Sequence, residues 1–156
     1  MAVANLSFDE LFRFARIREL KESILTNDPR SNVFARLFTK IESDTLTQED
    51  FDNCIATKHP EIIKYISFSS DLFNTVNILK IVSLQGYLLG YIPASKQSKE
   101  ICLAAVKNDG AGALNFVSKD IIDDEIVREA LKQNPNAKEV LLKIYTNHID
   151  NLSTED

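Results

Sequence analysis

Few residues in this chain could do chemistry, and their spacing disfavours most of the reactions they could serve. There are two cysteines, Cys54 and Cys102, and two histidines, His59 and His148. The cysteines do not form a C-x-x-C pair. Neither histidine has a second ligand at helical spacing, as in H-E-x-x-H, so no zinc site or dithiol motif is written here. Both cysteines fall on apolar helical stripes, which predicts buried free thiols that react slowly. His59 stands at a helix stop before Pro60, where capping is its expected role. Asp123-Asp124-Glu125 is the one acidic cluster that could coordinate a cation. Lying just before an apolar stripe, it reads as an N-cap followed by carboxylates that the helix dipole favours. Gly86, Gly90, Gly110 and Gly112 are expected at helix ends. None precedes Gly-Lys-Ser/Thr and there is no G-x-S-x-G, so neither a phosphate loop nor a nucleophile elbow is indicated. The expectation is a protein with no catalytic residues, no metal and no small-molecule cofactor, and not an enzyme.

What remains is a basic run, Arg13, Arg16, Arg18 and Lys21, interleaved with Phe12 and Phe14. Ser7-Phe8-Asp9-Glu10 fits a capping box that opens a helix over Ser7–Leu25. On that helix Phe8, Leu11, Phe12 and Ala15 share one face. Ile17, Leu20 and Ile24 share another about half a turn away, with Phe14 nearer the second. A helix with two apolar faces is buried on both sides, breaks near Arg16, or offers one face to a partner. The third alternative makes Arg13, Phe14, Ile17, Arg18 and Lys21 the candidate contact for a protein partner.

The elements that would position such a surface are helices. Asn27-Asp28-Pro29 stops the first, and Pro29–Glu42 is expected to form the second through Val33, Phe34, Leu37, Phe38 and Ile41. Leu46-Thr47-Gln-Glu-Asp50 is a further cap signature. The clearest pattern lies in Ser98–Val117. Ile101, Ala104, Ala105 and Asn108 recur at helical spacing, Asp109-Gly110 closes the helix, and a short apolar turn follows through Leu114, Phe116 and Val117. Asp123–Leu142 repeats the plan, with Ile126 matching Ile101 and Ala130 matching Ala105. Upstream, Tyr65, Tyr91 and Phe116 lie 26 and then 25 residues apart. Four units of roughly 25 residues are expected, because one helix pair of this size cannot bury its own face. Ile62–Phe68 could form a short strand, but its place in the pattern argues for helix.

Two of these units carry a family resemblance. Lys99-Glu100-Ile101-Cys102-Leu103-Ala104-Ala105-Val106-Lys107-Asn108-Asp109-Gly110, with Leu114-Asn115-Phe116-Val117-Ser118, and then Asp124–Pro135, resemble a family of short helical repeats of unknown function found in bacterial, phage and giant-virus proteins. The resemblance implies stacked helix-turn-helix units and brings no enzymatic activity. It also implies, from where the family occurs, that a phage or viral accessory protein acting as inhibitor of a host factor is one form such a chain takes.

Composition is consistent with this reading. Few turn residues, with four glycines and four prolines in 156 residues, favour helices over a β-fold. The expected fold class is all-α: a short α-solenoid or compact helical bundle preceded by an N-terminal helical pair. The expected division is 1–45 for the pair, 46–147 for the array and 148–156 for a flexible tail, forming one domain overall. The net charge of −5 disfavours nucleic acid as a partner. No basic leader with an apolar core opens the chain and no 18-residue apolar run occurs, which points to a cytoplasmic protein without membrane contact, in the host cytoplasm if viral. The functional expectation is a non-catalytic protein–protein interaction module. Its alternatives are a structural or assembly subunit, with homo-oligomerisation open, and an enzyme whose site has no recognised motif.

Overall fold

The computed structural model describes residues 7–152. Among these the chain is all-α, with no strand. The helices are α1 (Phe8–Leu25), α2 (Asn32–Ala35), α3 (Phe38–Glu42), α4 (Gln48–Ala56), α5 (Thr75–Leu84), α6 (Lys99–Leu114), α7 (Asp124–Gln133) and α8 (Ala137–Leu152). Short 3-10 helices at Pro60–Tyr65, Gly86–Tyr91 and Ala94–Lys96 complete the order. The chain divides into two compact units, Met1–Asn77 and Ile78–Asp156.

In the first unit α1 starts on a complete capping box. Ser7 Oγ accepts from the Glu10 N–H and the Glu10 carboxylate accepts from the Ser7 N–H. The helix is unbroken at Arg16 and runs to Thr26, where Asn27 turns the chain in the left-handed region. The single helix expected over Pro29–Glu42 is two short ones, α2 and α3, separated at Arg36-Leu37. Phe34 and Ile41, one from each, are buried. α4 opens on a second capping box, Thr47 with Asp50, and buries Phe51 and Cys54. Pro60–Tyr65 is neither strand nor α-helix but a 3-10 helix that buries Pro60, Ile62 and Ile63. It packs against both α1 and α4, and α1 also meets α3. Asn77 closes the unit as a buried amide. It donates to the Leu72 carbonyl and exchanges hydrogen bonds with Gln48.

The second unit is built around α6, which packs against the 3-10 helix Gly86–Tyr91 and against α7, with α8 touching both α6 and α7. Small residues set the spacing. A methyl group on Gly86 would fall on the Ala105 carbonyl oxygen, and one on Gly90 would meet the Phe116 ring. Gly110, expected to end its helix, instead kinks it at a positive φ of 42°, after which the chain resumes helical geometry to Leu114.

One local geometry recurs along the chain. The side chains of Thr47, Asn74, Ser98 and Asp123 each accept from the N–H three residues on. Seven residues beyond each cap lie Cys54, Ile81, Ala105 and Ala130, all buried. Further on, the N–H groups of Ile66, Ile92 and Val117 each donate to the carbonyl three residues back. Caps, buried positions and closing turns therefore share a sequence spacing of 24 to 27 residues.

Two expectations about boundaries change. Compactness divides the chain at 77/78 and not at 45/46, because the segment through Tyr65 is tied to α1 by hydrogen bonds as well as by packing. Residues 148–152, expected in a tail, continue α8. The rest of that tail, residues 153–156, lies outside the described residues.

Candidate functional site

The five residues expected to form a partner contact do not share a surface. Arg13 and Ile17 face inward, 7% and 5% exposed, while Phe14, Arg18 and Lys21 are exposed. The reason lies in what Arg13 meets. Its Nε donates to the Tyr65 carbonyl at 2.8 Å, and its Nη2 donates to the Ile41 carbonyl at 2.9 Å and to Asp44 at 3.3 Å. Tyr65 ends the 3-10 helix and Ile41 lies in the last turn of α3, where carbonyls keep lone pairs free for a further donor; the Ile41 carbonyl also accepts from the Asp44 N–H at 3.3 Å. A guanidinium carries several donors in one plane and suits such a double carbonyl site. Arg16 repeats the contact one turn later, its Nε donating to the Lys64 carbonyl at 2.7 Å. The basic run is therefore half structural. Arg13 and Arg16 hold backbone, and Arg18 and Lys21 remain on the surface.

With the second face of α1 turned inward, through Ile17 and Leu20, the first is open. Phe8 is 79% exposed, Phe12 59% and Leu11 40%. The Phe8 and Phe12 rings lie 6.3 Å apart, one turn apart along the helix. The two-faced pattern was legible in the sequence, but which face is covered was not. That depends on the carbonyls of Ile41, Lys64 and Tyr65, which no pattern on α1 reveals.

A cleft of about 210 Å³ lies beside the start of α1. Its walls are Ser7, Asp9, Glu10, Arg13 and Arg16 on the helix and the segment Ile66 to Ser69 opposite. It is smaller than the roughly 300 Å³ at which small-molecule pockets begin. Most of its polar groups are engaged with one another or with backbone: Glu10 with Ser7, Ser67 with Ser69, and Arg13 and Arg16 with carbonyls.

The other candidates have structural roles. Burial pushes the Cys54 thiol up to about 11, with the nearby Asp50 charge adding to it, and burial alone pushes Cys102 to about 11. Both cysteines are free. His59 makes no side-chain cap; its ring stands edge-on to Phe34, 6.2 Å away. The side chain of His148 lies outside the described residues. Asp123 caps α7 by accepting from the Glu125 and Ile126 N–H groups, and it pairs with Lys99 at 2.7 Å. The hydrogen bonds from Lys99 and from the Ile126 N–H hold the Asp123 carboxyl below its usual range. Lys99, bonded to both Asp123 and Glu125, is pushed up to about 12. Among the described residues no group of three or more His, Cys, Asp or Glu side chains could hold a metal ion. No helix among them is long and apolar enough to cross a membrane.

Among the described residues these features define an all-α protein that leaves an apolar face of α1 exposed. Comparison with known proteins adds one likeness. Residues 77–122, and again 98–152, match a family model described as a domain of unknown function (DUF4116). Both matches lie almost wholly in the second unit, start 21 residues apart and share residues 98–122; α1 lies outside them. No curated protein and no solved structure matches the chain.

Proposed function

We propose that this chain is a non-catalytic protein–protein interaction module, built of four helix-turn copies and contacting its partner through the outward face of α1. The observation that carries the reading is the contrast across that one helix: Ile17 and Leu20 are 5% and 4% exposed, whereas Phe8 and Phe12 are 79% and 59% exposed. Large aromatic side chains gathered on an exposed face mark interaction sites more often than chance placement does. The recurring caps and buried positions support the copy reading, since each helix pair needs a neighbour to cover its apolar side.

Affinity capture from the native or host lysate tests the reading. The tagged protein is run beside a Phe8→Asp/Phe12→Asp variant. The expected result is a stoichiometric protein partner present with the wild type and absent with the variant, both being equally folded by circular dichroism. Equal capture by the two proteins, or no partner, overturns this surface as the contact.

A further inference from the structure

The outward face of α1 carries a more specific message in its order of residues. Phe8, Leu11, Ala15, Arg18, Glu22 and Leu25 fall at alternating spacings of three and four, the seam of a helix that pairs lengthwise with another helix. The two ends of this seam are the most exposed large hydrophobic side chains among the described residues, Phe8 at 79% and Leu25 at 76%. Its middle is small or charged. We propose that the occupant of this face is a second copy of this chain, paired antiparallel along α1. The inference rests on the reading that this face is the contact surface.

Two features favour that occupant. The first is end-to-end matching: running the second copy in reverse sets Phe8 of each chain on Leu25 of the other, so both exposed ends are covered at once. The second is charge. Parallel pairing would lay Arg18 on Arg18 and Glu22 on Glu22, and such like-charge contacts are unfavourable. Antiparallel pairing lays the Arg18 stem across the small Ala15 of the other chain, brings its guanidinium within reach of that chain's Glu19, and sets Glu22 beside Leu11 of the other chain, where its carboxylate must turn outward to water. Area bears on strength alone. With about 200 Å² for a whole phenylalanine side chain, Phe8, Leu11, Phe12 and Leu25 expose about 450 Å² of apolar surface. Two facing copies then bury about 900 Å² from these side chains, below the roughly 1,200 Å² at which specific stable interfaces begin, so the pairing is expected to be weak and reversible.

Sedimentation of the full chain across the micromolar range reads this directly. The expected result is a weight-average mass that rises toward twice that of one chain with concentration. A Phe8→Glu/Leu25→Glu variant should remain monomeric throughout with an unchanged melting midpoint, since both side chains are more than three-quarters exposed. Orientation is read by cysteine pairing. A Phe8→Cys/Leu25→Cys chain should oxidise to a covalent dimer, whereas Phe8→Cys alone should not. Cross-linking by Phe8→Cys alone would mean parallel pairing and would overturn the arrangement. A wild-type chain that stays monomeric throughout would overturn the second copy as occupant. That failure is distinct from failure of the interaction reading, which a different protein captured through Phe8 and Phe12 by the monomer would still support.

Discussion

In the second unit helices approach through small residues, Gly86 under the Ala105 carbonyl and Gly90 under the Phe116 ring. In the first unit α1 buries Ile17 and Leu20 and is also held by polar bonds. The Arg13 and Arg16 guanidiniums donate to the carbonyls of Ile41, Lys64 and Tyr65. The two devices leave different surfaces behind. Packing by small residues covers α6 on two sides, against the 3-10 helix Gly86–Tyr91 and against α7. Anchoring by arginine fixes one side of α1 and leaves the other, with Phe8, Leu11 and Phe12, uncovered. A helix tied down by a few directional bonds can keep an apolar face free, whereas one held by close packing needs most of its circumference.

The sharpest way to break this contrast is to remove the polar anchor. Arg13→Ala removes the guanidinium donors to the Ile41 and Tyr65 carbonyls and should cost about 2 kcal/mol of stability, read as a fall in the urea midpoint. Arg13→Lys should rescue little of it, because one ammonium cannot reproduce the planar fork. Full stability in the alanine variant would show that α1 is held by packing alone. The matching change in the second unit is Gly86→Ala. Its methyl would fall on the Ala105 carbonyl oxygen, a backbone atom that cannot swing aside. The expected cost is about 2 kcal/mol, and an unchanged midpoint would show that the two segments separate freely.

The second unit was the more legible of the two from sequence, and the reason is physical. Ser98, Ala105 and Asp123, Ala130 take their roles from local rules: a cap bond three residues long and a side-chain column at helical spacing. Both appear where the pattern put them. In the first unit the role of Arg13 depends on partners 28 and 52 residues away in sequence, the Ile41 and Tyr65 carbonyls. Binary patterning could show that α1 had two apolar faces but held no information on which would meet those carbonyls. The 3-10 geometry of Pro60–Tyr65 and the break between α2 and α3 were likewise hidden, since both arise from tertiary fit over propensities that allow a longer helix.

A smaller effect separates the caps of the two helices that the pattern placed best. Ser98 and Asp123 make the same bond to the N–H three residues on, but only Asp123 titrates. Its carboxyl is held below the usual range by Lys99 and by the Ile126 N–H, so the folded state binds its proton less readily than the unfolded state. The stability it contributes is complete above the ordinary carboxylate range and is lost as pH falls through the folded value. Asp123→Asn should therefore be less stable than wild type at neutral pH, with the gap closing below about pH 4. Ser98→Ala should show a loss of about 1 kcal/mol that does not change over the same range. A gap for Asp123→Asn that stays constant down to pH 2 would mean that the Lys99 pair adds nothing to the cap.

The smallest expected effect lies within the second unit and tests whether exposure follows from the number of neighbours. Val82, Val106 and Leu131 each stand eight residues beyond a cap. Val82 and Val106 are fully buried, but Leu131 is 37% exposed. The helices differ in what surrounds them: α6 lies against the 3-10 helix Gly86–Tyr91, α7 and α8, whereas α7 meets only α6 and α8 over substantial surfaces. The site twelve residues beyond the cap is glycine at Gly86, after α5, and at Gly110, in the kink of α6, but Pro135 after α7, so the backbone there carries a ring where the others allow a neighbouring segment to approach. Leu131→Glu should then change stability by no more than about 0.5 kcal/mol, the range of an ordinary surface substitution. Glutamate at the equivalent Val106 would bury an unpaired carboxylate and should prevent folding at neutral pH. Comparable losses for the two variants would mean that α7 is covered in solution as completely as α6, and that a further surface packs there.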